Sequence, residues 1–168
     1  VSSHYFFVEK PVKLKIINAP HEKIIMHLHP SNKDLGTKSY DLKDEFFIDI
    51  SDFNLISIDE VFRLKELYNV KVIEKKENEL ICEYAGRELI PGSKKVQWVS
   101  ANEYVEAILY NFGDLLKDEK FNEQSLIEIK GYCEKLCSNL SEGTIIQFER
   151  KGFYKLDDVK QMKFFKLD

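Results

Sequence analysis

The sequence lacks the features that mark small secreted proteins and membrane proteins. Its three cysteines, Cys82, Cys133 and Cys137, are an odd number without the paired C-x-x-C spacing of zinc sites. They favour a reducing cytoplasm and small buried side chains over a disulfide framework. No apolar run approaches the ~18 residues of a membrane span, and residues 1–10 show no secretory signal. We expect a cytoplasmic protein, and the opening at Val1 instead of Met suggests a cut fragment.

Motifs of familiar catalytic sites are also missing. The sequence contains no G-x-x-x-x-G-K-[ST], G-x-G-x-x-G, G-x-S-x-G or H-E-x-x-H, which removes the common phosphate cradles, nucleophile elbows and zinc-protease ligands. Acidic pairs such as Asp41 with Asp44 are interpreted as surface charge, because a chain rich in carboxylates contains such pairs by chance. His27 and His29 would share a face of a strand, but no further Cys or His ligand lies nearby. We predict neither a catalytic residue nor a metal site.

What is present is an ordinary globular composition with unevenly placed charge. The 168 residues are 43% hydrophobic and 32% charged, with a net charge of −4. Residues 1–40 carry a net +3, residues 41–90 a net −6, residues 91–142 a net −3 and residues 143–168 a net +2. The overall charge argues against a generic nucleic-acid binder, but RNA contact through the two basic ends stays possible if they meet in space. A solvated surface explains the same counts.

Short alternating or β-rich runs, separated by turn signals, predict a mainly β protein built as one or two barrels or a sandwich. The predicted strands are residues 12–16, 24–28, 46–50, 70–73, 80–84, 96–99, 104–110 and 144–148. A helix is predicted over residues 125–137, where Ser125 and Glu128 fit a capping box and four apolar residues fall on one face. A shorter helix is considered near Asp59, where the pattern fits a helix and a strand equally.

Seven segments, in order along nearly the whole chain, carry a resemblance to a known family. They are residues 9–14 (EKPVKL), 29–30 (HP) with Gly36, 47–49 (FID) with 52–53 (DF), 63–65 (RLK), 95–100 (KVQWVS), 125–126 (SL) with 131–132 (GY), and 147–154 (QFERKGFY) with 156–157 (LD). The last segment and the Trp98 motif at this spacing are specific. The chain resembles the C-terminal anticodon-binding region of the glutaminyl- and archaeal or eukaryotic glutamyl-tRNA synthetases.

The resemblance implies a fold of two interlaced antiparallel β-barrels over residues 1–168, with one or two short helices. The chain would enter one barrel, build the other and return, so that residues 1–28 and 145–168 meet in one barrel. It also implies that this chain selects tRNA(Glu) through its anticodon loop, for a catalytic domain in cis. The H-x-G-H and K-M-S-K-S type motifs of that domain are absent here. ATP and Mg would belong to the catalytic domain, and no cofactor to this chain.

The family's contact positions fall on Gln147, Arg150 and Arg63. A glutamine amide matches the donor and acceptor edge of uracil, so Gln147 suits the middle base of a glutamate anticodon. Arginine matches the acceptors of cytosine, so Arg150 suits the third anticodon base and Arg63 the first. Gln147 and Arg150 fall on opposite faces of a regular strand, so one is structural unless the chain turns near residues 151–152. Arg63 equally fits pairing with a neighbouring glutamate.

Three further positions complete the predicted interface. Lys94 and Lys95 precede Trp98 in a loop, where they contact phosphates or are simply solvated, while Trp98 is predicted to lie in the core. His4 stands where glutaminyl enzymes carry an arginine for the middle base, and an imidazole in that position can stack on the base or donate to it. The loop between Phe53 and Arg63 is shorter than in glutaminyl enzymes and lacks their reader of the third base, which favours glutamate.

Other interpretations remain open at this point. The chain also fits a glutaminyl or dual-specificity synthetase fragment, or a free-standing ribosomal 5S-RNA-binding protein with this type of barrel. A single barrel would suffice for the ribosomal protein, and 168 residues fit two barrels better. A metabolic enzyme or interaction scaffold would need a pocket lined by convergent carboxylates.

Overall fold

The structure consists of two nearly closed seven-stranded sheets and a separate two-stranded ribbon. It is a computed structural model that describes residues 2–112 and 126–167. The chain forms two strands of the first sheet, builds the ribbon and the second sheet, and then returns to complete the first. The expected mainly β fold of two interlaced barrels is therefore confirmed.

The first barrel combines strands from both ends of the chain. In spatial order it contains β1 (His4–Tyr5), β14 (Ile145–Phe148), β15 (Gly152–Asp158), β16 (Lys163–Lys166), β12 (Tyr104–Phe112), β13 (Leu126–Glu134) and β2 (Phe7–Glu9). Its two edge strands, β1 and β2, are consecutive in sequence and separated only by Phe6. The covalent chain therefore closes this barrel where its hydrogen-bonded ladder ends.

The second barrel comes from the middle of the chain. In spatial order it contains β10 (Lys95–Val96), β7 (Val61–Leu64), β8 (Asn69–Lys75), β9 (Glu79–Tyr84), β3 (Val12–Ile17), β6 (Glu45–Ile48) and β11 (Trp98–Ser100). Here too the edge strands are consecutive, separated only by Gln97. The ribbon pairs β4 (Glu22–His27) with β5 (Thr37–Leu42). Residues 1–28 are thus divided among the first barrel, the second barrel and the ribbon.

The sheets are mixed instead of purely antiparallel. β1 runs parallel to β14 and β12 runs parallel to β16 in the first barrel. β3 runs parallel to β9 and β7 runs parallel to β10 in the second. Parallel neighbours need a crossover connection, and for β1 and β14 the passage of the chain through the second barrel supplies it.

Each barrel has its own apolar core, and residues 5–8 serve both. Tyr5 and Phe7 lie in the first core, whereas Phe6 and Val8 lie in the second. Side chains alternate across a strand, so a strand between two cores must be apolar at every position. The Phe6 ring contacts Trp98, with ring centroids 5.7 Å apart. The prediction that Trp98 lies in the core is confirmed, since it is 2% exposed.

The predicted helix over residues 125–137 is wrong. Leu126–Glu134 form β13, followed by one 3-10 turn, Lys135–Asn139; Ser125 of the predicted capping box lies outside the described residues. Ile127 and Ile129 favour a strand and Gly131 disfavours a helix. Pairing of β13 with both β12 and β2 then overrides the helical spacing of its apolar residues.

The residues that follow the turn at Asp59 form a strand, β7, and not a helix. The α-helix of this part of the chain is α1 (Ile50–Leu55), which begins earlier. The Asp49 carboxylate caps it by accepting a hydrogen bond from the Ser51 amide, a typical N-cap arrangement. The predicted strand over residues 46–50 therefore ends at Ile48. The described part of the chain contains no helix with the length and apolar character needed to cross a membrane.

Candidate nucleic-acid interface

Three side chains form a row on the outer face of the first barrel. His4 on β1 is paired with Gln147 on β14, and Gln147 is paired with Phe153 on β15. Ile146 and Phe148 point into the core, so Gln147 between them points outward, and directly opposite residues share its face. Phe153 is 46% exposed. The main-chain N–H of Gln147 donates to the carbonyl oxygen of Ser3, but its side-chain amide has no hydrogen bond to residues 2–112 or 126–167, which leaves that donor and acceptor available to a ligand.

His4 is a constrained member of this row. Its ring packs edge-on against His29, with centroids 4.5 Å apart, and its Nδ1 lies 3.5 Å from Oε2 of Glu149. Nδ1 nevertheless has no hydrogen-bond partner within the described residues. Burial lowers the pKa of His4 below its usual value, and the charge of Glu149 offsets part of that shift. The ring is therefore neutral at pH 7 and offers one donor and one acceptor.

The turn after β14, residues 149–151, connects the two barrels through ion pairs. Glu149 accepts a hydrogen bond from Lys65 of the second barrel. Arg150 forms a two-point ion pair with Asp52 on α1, at 3.2 Å and 2.6 Å. Lys151 lies 3.3 Å from the Asp49 carboxylate. The turn thus carries one charged contact from each of its residues to the second barrel.

Arg150 does not continue the strand that holds Gln147. β14 ends at Phe148, and Arg150 has a φ of 66°, in the left-handed region that non-glycine residues seldom adopt. This turn directs Arg150 toward the second barrel. Its side chain therefore does not lie on the inward face of the sheet, where a continued strand would have placed it. Half of its side chain stays exposed, at 49%. The ion pair with Asp52 uses two of its N–H donors and raises the pKa of the guanidinium further, while the other donors remain available.

Arg63 and Lys95 lie together on the second barrel, on the paired strands β7 and β10. The predicted pairing of Arg63 with a neighbouring glutamate is not observed. Its guanidinium donates instead to Oδ1 of Asn69 at 3.2 Å and to the carbonyl oxygen of Arg87 at 3.1 Å. Lys95 is exposed and has no carboxylate partner in the described chain. An open hollow of about 270 Å³ is lined by Arg63, Lys65, Glu66, Leu89 and Lys95.

Lys94 is engaged in structure, unlike its neighbour. Its ammonium donates to the carbonyl oxygen of Leu55, at the end of α1, at 2.7 Å. It also lies 3.0 Å from Oε2 of Glu60. These contacts hold the loop before β10 against the helix. The structure therefore separates the two predicted lysines, with Lys95 facing the basic hollow and Lys94 fixing the loop.

Lys65 links the two groups of predicted residues. It lines the hollow with Arg63 and Lys95, and its ammonium reaches Glu149 beside His4. Sequence reasoning did not select Lys65, Glu149 or Phe153 as site residues, although all three belong to the quoted motifs. The exposure of Phe153 was predictable, because the two-residue alternation of a strand that places Tyr154 in the core places Phe153 on the outer face. The ion pairs were not, because their partners lie about 80 to 100 positions apart in sequence.

Other surface features contain none of the predicted residues. A larger open hollow of about 440 Å³ lies where β2, β12 and β13 meet. Within the described ranges, no group of three or more His, Cys, Asp or Glu side chains is placed to hold a metal ion.

The three cysteines are free and buried, as predicted, and burial raises the pKa of Cys82 to about 12.

Comparison with known proteins gives the family. Residues 2–85 and residues 95–157 match two domains that share one description, tRNA synthetases class I (E and Q), anti-codon binding domain. The glutamate–tRNA ligase of Nitrosopumilus maritimus is 35% identical over 163 residues, which is 97% of this chain and 28% of the relative. The enzyme of that name from Methanococcus maripaludis strain C7 is 28% identical over 159 residues, 92% of this chain and 26% of its own.

A eukaryotic relative gives the same result. The probable cytoplasmic glutamate–tRNA ligase of Encephalitozoon cuniculi is 30% identical over 172 aligned positions, covering 94% of this chain and 27% of the relative. The chain therefore spans about a quarter of the length of these relatives. The two family matches together cover most of the chain, and both barrels lie largely within them. The chain belongs to the anticodon-binding domains of the class I glutamyl- and glutaminyl-tRNA synthetases.

Proposed function

We propose that this chain binds the anticodon loop of tRNA(Glu) and selects that tRNA for a glutamate–tRNA ligase. A catalytic domain in cis would use ATP and Mg to activate glutamate and charge the tRNA, in the cytoplasm. The observation that carries the proposal is the outward row of His4 and Gln147 on a domain of the anticodon-binding family. The Gln147 side chain makes no hydrogen bond within the described chain, whereas Arg150 and Arg63 are already held by other groups.

Gln147 is assigned to the middle base of the anticodon. Its amide N–H can donate to O4 of uracil, and its carbonyl oxygen can accept from N3–H. Neutral His4, on the same face, supplies a second donor or a ring surface for stacking. Cytosine and adenine present an amino donor where uracil presents O4, and guanine is a larger ring, so each would require the amide to turn over or the base to shift. We expect a wrong middle base to weaken binding by about 1–3 kcal/mol.

Arg150 is assigned to the third anticodon base and Arg63 to the first. Both side chains are more restricted than that of Gln147. Arg150 is held by Asp52, and Arg63 by Asn69 and a main-chain oxygen. Such contacts fix the direction of the remaining N–H donors, so less side-chain entropy is lost on binding. Lys95 is assigned to a phosphate at the hollow beside Arg63. Lys94, already paired with Glu60 and the end of α1, has a supporting role.

The test compares the tRNA(Glu) transcript with the same tRNA in which the middle anticodon base is replaced. Binding is measured at one fixed salt concentration, because phosphate contacts make affinity salt-dependent. The wild-type protein should prefer the natural tRNA, and Gln147→Ala should remove that preference. Gln161→Ala, an exposed glutamine away from the row, is the matched control and should retain it.

Equal binding of both tRNAs by the wild-type protein, with only a nonspecific salt dependence, would refute anticodon recognition by this chain. Preference that survives in Gln147→Ala would keep the function and reject Gln147 as its reader. A tRNA with guanosine at the third position separates glutamate from glutamine or dual specificity. Equal binding of that tRNA would indicate a domain that accepts both.

A further inference from the structure

We propose that the outer face of β15, β16 and β12 binds unpaired nucleotides of the tRNA anticodon loop that flank the base read by Gln147. This inference rests on the proposed function and extends it to a second, sequence-tolerant contact. We define the outer track as the aromatic residues Phe153, Phe165 and Tyr110 and the lysines Lys155 and Lys163. None of the five is needed to recognise a particular base.

The register of the strands places the outer track next to Gln147. Phe153 is directly opposite Gln147, and Lys155 follows two residues later on the same face of β15. Phe165 on β16 is opposite Lys155, and Tyr110 on β12 is opposite Phe165. Neighbouring strands are about 4.8 Å apart, so the row from β14 to β12 crosses about 14 Å. That span accommodates a few nucleotides of a single strand.

The aromatic residues of the track are surface platforms and not core side chains. Phe153 is 46% exposed, whereas its neighbour Tyr154 is completely buried. Tyr110 and Phe165 are half-buried and stack on each other, with centroids 4.8 Å apart and planes 17° from parallel. A stacked pair on a sheet surface presents a flat apolar edge beside the exposed Phe153 ring. Bases of any identity can stack on such surfaces.

The lysines of the track lack local partners. No carboxylate of the described chain lies within ion-pair distance of Lys155 or Lys163. The Lys163 ammonium lies 6.0 Å from the Tyr110 ring centroid. These positive charges interleave with the aromatic rings, as in surfaces that bind single-stranded nucleic acid.

The charge of the track favours RNA over a protein partner. Lysine is depleted in the buried centres of protein interfaces, where its charge must be desolvated. Two lysines without partners would be costly under a packed protein domain, whereas phosphates would pair with them and release counterions. The chain is acidic overall, at −4, so a basic face beside Gln147 also orients an approaching tRNA.

The experiment measures binding of the isolated anticodon stem-loop of tRNA(Glu) across a series of salt concentrations. Phe153→Leu keeps an apolar side chain but removes the ring, and we expect about 5- to 100-fold weaker binding. Phe153→Tyr keeps the ring and should bind as the wild type does. Lys155→Ala with Lys163→Ala should reduce the slope of log affinity against log salt by about 0.7 for each phosphate that the protein no longer neutralises. Lys23→Ala, an exposed lysine on β4, should leave the slope unchanged.

The outcomes separate the track from the proposed function. All track variants should retain the preference for the natural middle base, since the track reads no base identity. If Phe153→Leu and the double variant Lys155→Ala with Lys163→Ala bind the stem-loop with wild-type affinity and keep the preference for the natural middle base, the outer track is refuted and the proposed function is unaffected. Reduced thermal stability of the variants with unchanged stem-loop affinity would also overturn it and assign the face to protein packing. A wild-type protein without any preference would reject the function and the track together.

Discussion

Removing the charge of Glu134 should strongly destabilise the protein, because this carboxylate is buried between the barrels. Glu134 is 3% exposed. One oxygen accepts from the Lys38 ammonium at 2.8 Å and from the Tyr40 hydroxyl, and the other accepts from the Phe6 amide at 2.5 Å. These residues belong to β13, to β5 and to the position between β1 and β2. The cluster therefore joins the first barrel, the ribbon and the segment shared by both cores.

The expected magnitude follows from the charge that is left behind. In Glu134→Gln the buried ammonium of Lys38 loses its counterion, and breaking a buried ion pair in this way typically costs about 3–5 kcal/mol. That is a large part of the ~5–15 kcal/mol that stabilises an ordinary domain. Lys38→Met strands the carboxylate instead and should cost a similar amount. The double variant Lys38→Met with Glu134→Gln leaves no buried charge and should be more stable than either single variant.

Urea denaturation can test this with two independent signals. Trp98 is the only tryptophan and lies in the second core, so its fluorescence reports that barrel. Far-ultraviolet circular dichroism reports the strands of both barrels. Coincident transitions would show that the barrels unfold together. A loss of less than ~0.5 kcal/mol in Glu134→Gln, a typical surface value, or additive single effects would refute the buried-pair account.

Three further predictions concern the barrel contacts and the histidine. Asp52→Asn should lower the free energy of unfolding by only about 1 kcal/mol in urea, because Arg150 is half exposed and the pair is screened by solvent; a loss above ~3 kcal/mol would contradict this. Gly131→Ala should lower the melting temperature through a loss of about 1–3 kcal/mol, because a Cβ would lie 2.1 Å from a carbonyl oxygen of β2; an unchanged melting temperature would show that β2 moves freely. His4 should titrate below 6.5 by NMR, and Glu149→Gln should lower that pKa further. Because the pKa of His4 is lower in the folded than in the unfolded protein, protonation of His4 lowers the free energy of unfolding. This loss begins as the pH falls below ~6.5 and is complete below the folded-state pKa. A measured pKa above 6.5 would refute the burial account.

Strands with a clear two-residue alternation were predictable from the sequence. All eight predicted strand segments overlap strands of the structure, because one face of each packs on a core. Thr37–Leu42, Gly152–Asp158 and Lys163–Lys166 were not predicted, since their polar residues weaken the signal. Residues 126–134 were assigned to a helix because local spacing cannot show that two distant strands, β12 and β2, will pair with them.

The residues of the candidate site were predictable from the sequence, but their contacts were not. The family resemblance selected Gln147, His4 and Arg63, the expected loop before Trp98 suggested Lys95, and the structure places each on a barrel surface or at the hollow. It did not show which of their donors are already occupied. Those contacts join residues far apart in sequence, so no local pattern encodes them. Only the fold shows that Gln147 is free within the described chain whereas Arg63 is held.

The turn at residues 149–151 places a predicted base contact and an ion pair between the barrels on the same residue, Arg150. Arg150 belongs to the motif that carries the family resemblance, yet its clearest contact in the structure is the ion pair with Asp52 across the barrels. Weak tRNA binding by Arg150→Ala would therefore follow equally from the removal of a base contact and from a shifted barrel. Asp52→Asn distinguishes them, because it weakens the ion pair while leaving the guanidinium able to reach cytosine. If recognition depends on the base contact alone, Asp52→Asn should retain affinity for tRNA(Glu). If it depends on the barrel orientation, both variants should lose affinity together.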